Sequence, residues 1–292
     1  VDAVGMATQG DETLLMATTD GRLLLWSLTG GLLEQWETGL ETITQGPYVI
    51  GDRVLVVDGE GTLTLFDGNR EMVRNFPETG AIVADAETEQ LLGLITDGEV
   101  LFLFDATGTM IEQREIQSNS DVIKGYGQGL FLRDRGTVSY IAPSGEEQII
   151  IEGLQASRTN SQMLYDATNG QLVLWGIGSA YRLTGLSLEG EVLWETEVRV
   201  SERFGLSTAD LIQANRCTLV LVGQGGYVMA FGSRTGRLSG QMKIWGNSLT
   251  NVWAGSSVHD DILRVQVAGE MTGFDLAALS NQSCVVRLYE GE

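Results

Sequence analysis

Several residue types are nearly missing from this chain, and each absence removes a class of function. It has one histidine, His259, two cysteines, Cys217 and Cys284, and three prolines in 292 residues. A single histidine argues against a metal centre built from several imidazoles, and neither cysteine belongs to a Cys-x-x-Cys pattern, so a zinc site is not expected. Two cysteines in so long a chain are not a disulfide framework. They read as free, buried, apolar side chains, with a single bond in an oxidising compartment as the alternative. No run of eighteen apolar residues occurs, so no membrane-spanning helix is expected. No leader-peptide pattern is visible, and the chain opens Val1-Asp2-Ala3, as a processed chain would.

Positive charge is also scarce. Lysine occurs twice, at Lys124 and Lys243, and the formal net charge is −21. Nucleic-acid binding needs clustered Lys and Arg against the phosphates, so no nucleic-acid partner is expected. Anionic membranes are disfavoured for the same reason. Such a charge keeps a protein dispersed and also suits a basic partner surface.

What the chain does have is glycine, 38 residues of it, in a repeating pattern. Gly21, Gly61, Gly98, Gly136, Gly178, Gly225 and Gly269 recur at intervals of 37 to 47 residues. Each is followed by an apolar strand, a second turn and a further strand. The clearest copy runs Asp20-Gly21-Arg22-Leu23-Leu24-Leu25-Trp26, then Thr29-Gly30 and Leu32 to Trp36. A further strand precedes each glycine, such as Thr13 to Thr18 and Gln90 to Ile95, and an innermost one precedes that, such as Ala81 to Ala84. A period near forty with several strands per unit matches propeller blades, and no segment holds a helical period. Runs such as Leu101-Phe102-Leu103-Phe104 are apolar on both strand faces, as expected when each sheet is covered on both sides. The Asp-Gly and Asn-Gly pairs at Asp20, Asp58, Asp97 and Asn169 read as hairpin turns whose glycine takes a positive φ.

The expected fold is all-β, a seven-bladed β-propeller with four antiparallel strands per blade, in a single domain over 1–292. Expected blade limits are 1–40, 41–80, 81–119, 120–153, 154–200, 201–247 and 248–292.

Several units resemble the quinoprotein-like (PQQ-like) propeller repeat. The residues are Gly21…Trp26…Thr29-Gly30…Trp36, Gly98…Phe104-Asp105…Thr107-Gly108, Gly190…Trp194, and Gly226…Phe231…Thr235-Gly236. The repeat is similar to that of the BamB-type periplasmic scaffolds of outer-membrane protein assembly, and more distantly to WD40 rings. It departs from WD40 blades in having no Gly-His pair and in Ser27 after Trp26. The resemblance implies the fold and a scaffold role in a periplasm or on a cell surface. It assigns no partner-contacting residue. A cytosolic WD40-like adaptor is the alternative.

A search for chemistry favours no enzyme. No Gly-x-Ser-x-Gly elbow accompanies His259, which reads as part of a loop before Ile262 to Val267, near Ser256 and Ser257. The pairs Glu87 and Glu89, and Asp58 and Glu60, read as solvated turn acids rather than glycosidase carboxylates. Asp85, Glu87 and Glu89 lack the spacing of a calcium loop. The adjacent cysteine pair of quinoprotein dehydrogenases is absent. No cofactor is expected.

Trp26, Trp175 and Trp194 read as packing between blades. Trp245 and Trp253 flank Gly246-Asn247-Ser248, where core packing and exposure for binding are both open. Two connections look long, Gln117 to Gly127 and Arg199 to Thr208. The second holds Arg199, Arg203 and Phe204, which form the candidate partner anchor, unless the arginines only neutralise Glu197 and Glu202. The sequence points to a non-catalytic scaffold or complex subunit with protein partners. A ligand-binding or hydrolytic propeller with a central-channel site is the second reading.

Overall fold

Short apolar strands joined by glycine turns dictate antiparallel sheets, and the computed structural model of the chain consists of them. It describes residues 2–9, 12–77, 79–154, 162–176, 181–198, 210–215, 217–223, 227–243, 253–259, 262–267 and 270–275. The chain divides into two compact units, Val1–Ile149 and Ile150–Glu292.

The first sheet is β1 (Ala3–Thr8), β2 (Thr13–Thr18), β3 (Arg22–Ser27) and β4 (Gly31–Glu37). The second is β5 (Ile43–Ile50), β6 (Arg53–Asp58), β7 (Leu63–Phe66) and β8 (Met72–Phe76). The third is β9 (Ile82–Glu87), β10 (Leu91–Thr96), β11 (Val100–Asp105) and β12 (Met110–Glu115). The fourth is β13 (Asp121–Lys124), β14 (Leu130–Asp134), β15 (Thr137–Ile141) and β16 (Glu147–Ile151), the strand at which the two units meet in sequence. In the second unit follow β17 (Gln162–Asp166), β18 (Gln171–Trp175), β19 (Arg182–Ser187) and β20 (Val192–Glu197). Then come β21 (Asp210–Asn215), β22 (Thr218–Gly223), β23 (Tyr227–Gly232) and β24 (Leu238–Lys243). The last are β25 (Trp253–His259), β26 (Ile262–Val267) and β27 (Glu270–Asp275).

Among the described residues every sheet is an antiparallel meander in chain order, six of four strands and one of three. Six sheets thus have the full expected complement. The expected outer strand of the seventh, Ser283 to Tyr289, lies outside the described residues. Within the first unit β1 packs on β5, β5 on β9 and β9 on β13, so the first strand of each sheet lies inward. Within the second, β17 packs on β21 and β21 on β25.

The core sits between sheets. Ile50, Leu55, Leu63, Phe76, Leu92, Phe102 and Phe104 form one buried cluster of the second and third sheets, with the Phe76 ring edge-on to Phe102 and Phe104 at 5.9 and 5.8 Å. Leu15, Leu23, Val54 and Phe66 join the first and second sheets. Leu91, Leu101, Val122 and Leu132 join the third and fourth. In the second unit Trp175, Leu183, Leu219 and Phe231 do the same, with Trp194 against them. Residues of β10, β18 and β22 are buried on both faces, which explains their near-continuous apolar sequences.

Three local expectations need correction. Asp58-Gly59 and Asp97-Gly98 are turns, but the positive φ falls later, at Gly61 (76°) and Glu99 (60°). Gly21, Gly61 and Glu99 are equivalent, each amide donating three residues back, to Thr18, Asp58 and Thr96. The stretch Gln117 to Gly127 is not a plain loop, since it holds β13. Cys217 is not free: it is disulfide-bonded, and Cys284, the chain's other cysteine, lies outside the described residues. The sequence left a bond only as the alternative, because neither cysteine belongs to a local pairing pattern.

Candidate functional site: innermost charges and an outer apolar rim

Of the residues that the sequence proposes as anchors, Arg199, Arg203, Phe204 and Trp245 lie outside the described residues. Trp253 opens β25, its backbone paired with Val267, so it belongs to a strand rather than to the preceding connection. His259 ends the same strand, opposite Ile262, and is not in a loop. Ser256 and Ser257 are also in β25.

The turn acids are resolved individually. Asp58 ends β6 and accepts the amides of Glu60 and Thr62, both at 2.9 Å, so it closes its own turn. Glu87 ends β9, and only Glu89 is in the turn, its amide held by Gln128 Oε1 at 3.0 Å. Among the described residues no group of three or more His, Cys, Asp or Glu is placed to hold a metal ion.

Asp85 and Glu87 are two apart on β9 and so share a strand face. Burial is the main cause that pushes both carboxyls above their ordinary range, and the Lys124 charge opposes it in each case. Glu87 also accepts the Val49 amide of β5. Tyr48, on β5, is pushed up by burial and by the Asp85 charge. By surface area Asp85 and Lys124 are exposed and Tyr48 and Glu87 are half-buried. These groups therefore form a solvated charged set on the inward strands. Next to them Gln45 bridges β5 to β9: its Oε1 accepts the Ile82 amide at 2.5 Å, and its Nε2 donates to the Ile82 carbonyl at 3.0 Å. A like contact occurs in the second unit, where Gln162 Oε1 accepts the Leu211 amide at 2.6 Å.

The outer strands show a second recurring feature. Leu25 pairs with Glu34 and Trp26 with Leu32, which leaves Leu33 as an extra, bulged residue. The same skip leaves Val73 in β8, Ile111 in β12, Leu193 in β20 and Ser239 in β24. A bulge bends an edge strand and re-aims a side chain. Four of the five bulged residues are large aliphatics left in water: Leu33 58%, Val73 52%, Ile111 41% and Leu193 50% exposed. Sequence reading missed them. Their signal was present as apolar doublets, Leu32-Leu33, Met72-Val73 and Val192-Leu193, which break the alternation expected of a half-covered strand.

Other polar clusters explain themselves structurally. Asp166 is fully buried and takes donors from Asn169 (2.7 Å), Gln171 (3.1 Å) and Gln213 (2.9 Å), while Gln171 reaches the Ser233 carbonyl at 2.6 Å. These bonds tie the fifth sheet to the sixth. Trp194 lies over Gly185, its cross-strand partner, where an added Cβ would come within 2.3 Å of the indole.

With four-stranded meanders in sequence order and inward first strands on the page, the fold can be stated. It is a β-propeller. Known structures agree: BamB from Moraxella catarrhalis matches 93% of this chain and 82% of its own, with 13% identity and a TM-score of 0.59. The C-terminal WD40 domain of Sif2 matches 93% of this chain and 80% of its own, with 13% identity and a TM-score of 0.62. The dihydro-heme d1 dehydrogenase NirN matches 94% of this chain but 64% of its own, with 11% identity and a TM-score of 0.62. No protein-family model and no curated protein sequence matches the chain. At these identities the likeness is one of fold alone.

Proposed function

We propose that this propeller is a non-catalytic scaffold that holds other proteins outside the cytoplasm. The observation that carries the reading is the set of solvated aliphatics at equivalent bulges of the first three sheets, Leu33, Val73 and Ile111, all within the first unit. One exposed leucine needs no explanation, but the same exposure at the same position of three successive sheets does. Residues spaced one per blade suit contacts with large partners rather than with a small ligand. The disulfide at Cys217 supports the compartment, because such bonds persist where the surroundings are oxidising. It also weighs against the cytosolic adaptor. The Arg199, Arg203 and Phe204 segment is the proposed second anchor, drawn from sequence alone. Mild native purification from the source, followed by mass spectrometry, tests the role: a stoichiometric protein partner is expected, and a chain recovered alone contradicts it.

A second reading, a small-molecule site on the inward strands, has Asp85, Glu87, Tyr48 and Lys124 in its favour. Their charges are close enough to influence one another.

A further inference from the structure

We infer that the free edge of β8 is a docking strand for a short extended segment of a partner protein, one that is apolar with a carboxylate opposite Arg74. The inference deepens the scaffold reading and rests on it.

β8 is last in its sheet, so alternate backbone N–H and C=O groups point away from β7. Among the outer strands whose burial is described it has the longest exposed run. Residues of β12 alternate between half-buried and exposed and β16 opens with three exposed residues, whereas Met72, Val73, Arg74 and Asn75 are all exposed. Neighbouring turns account for this difference. Arg70, in the β7–β8 turn, stacks over Trp36 and pairs with Glu34, and so covers part of β4. An added Cβ at Gly145 would meet Ile111 of β12, and one at Gly236 would meet Trp194 of β20. The corresponding turn of the third sheet lies further in: the Thr107 carbonyl accepts from Arg53 Nε at 3.1 Å, and Gly108 sits against the Arg53 stem. It therefore leaves β8 uncovered on both faces.

Charge selects the occupant. Arg22, Arg53, Arg70, Arg114 and Arg135 each hold a carboxylate, and Arg133 lies by Asp121. Arg74 has no carboxylate partner among the described residues, and its guanidinium rests over the Phe76 ring at 4.8 Å. A cation fixed against an open strand edge, in a chain of net charge −21, favours an acidic position in the incoming strand. Glu71, exposed just before the strand, repels a second acid at that end. Val73 and Met72 supply the apolar contacts. Strand addition of this kind draws affinity from the backbone and specificity from alternate side chains.

The test uses the whole protein and short soluble peptides of valine and threonine with one central residue varied. The glutamate peptide should bind at least about tenfold more tightly than its lysine counterpart. Arg74→Glu should invert that preference, and a peptide with central proline, which cannot complete a strand ladder, should not bind. The docking strand is overturned if the glutamate peptide does not bind, if Arg74→Glu leaves the preference unchanged, or if the proline peptide binds equally. If the peptides fail while a native partner still co-purifies, the scaffold reading stands without this strand. If the peptides fail and the chain is recovered alone, both fall.

Discussion

Glu99 occupies a backbone position that the equivalent turns give to glycine. Its φ of 60° crowds the Cβ against its own backbone, while Gly21 and Gly61 adopt the same conformation without that cost. Glu99→Gly should therefore stabilise the protein, by about 1 kcal/mol, read as a shift in the urea midpoint at unchanged slope. At Asp85 the physics is electrostatic. A carboxyl whose folded pKa is raised costs nothing below its unfolded value, where both states are protonated. The cost is incurred as pH rises through the folded pKa. Asp85→Asn should then raise the thermal midpoint at pH 7, and the gain should vanish as pH falls toward about 4. A variant less stable than the parent at pH 7 would mean that the Lys124 charge outweighs desolvation.

At the scale of elements, Gln45 imitates a strand. Its amide meets both the N–H and the C=O of Ile82, and so satisfies the start of β9 from the neighbouring sheet. Gln45→Ala leaves two backbone groups short of partners and should cost about 1–3 kcal/mol, measured by equilibrium unfolding. A cost near zero would show that water replaces the amide. The strands themselves were legible in sequence, because runs such as Leu91 to Ile95 have few alternatives once bounded by glycine turns. The bulges were not, since a bulge depends on two strands in register and a repeat read along one chain shows neither. The turn at Asp97-Gly98 was misread for a related reason. The glycine is there, but the residue that needs the positive φ is the next one. The inward cluster escaped notice because Tyr48, Asp85 and Lys124 come from three successive sheets.

Across the whole molecule, four strands per repeat were visible from periodicity, whereas the bonded state of Cys217 was only the alternative reading, because no local pattern marks it. Within the described residues two chemically different sets stand out, a charged set on the inward strands and an apolar set on the outer strands. The scaffold reading depends on the second. The most direct test is quantitative recovery of the native partner by the parent chain and by the double variant Leu33→Ser, Val73→Ser, with thermal midpoints measured in parallel. Both side chains are half or more exposed, so their replacement should leave stability within about 0.5 kcal/mol. The account predicts that partner recovery falls several-fold while the midpoint holds. Undiminished recovery by the double variant would contradict the bulged aliphatics of the first unit as the interaction surface.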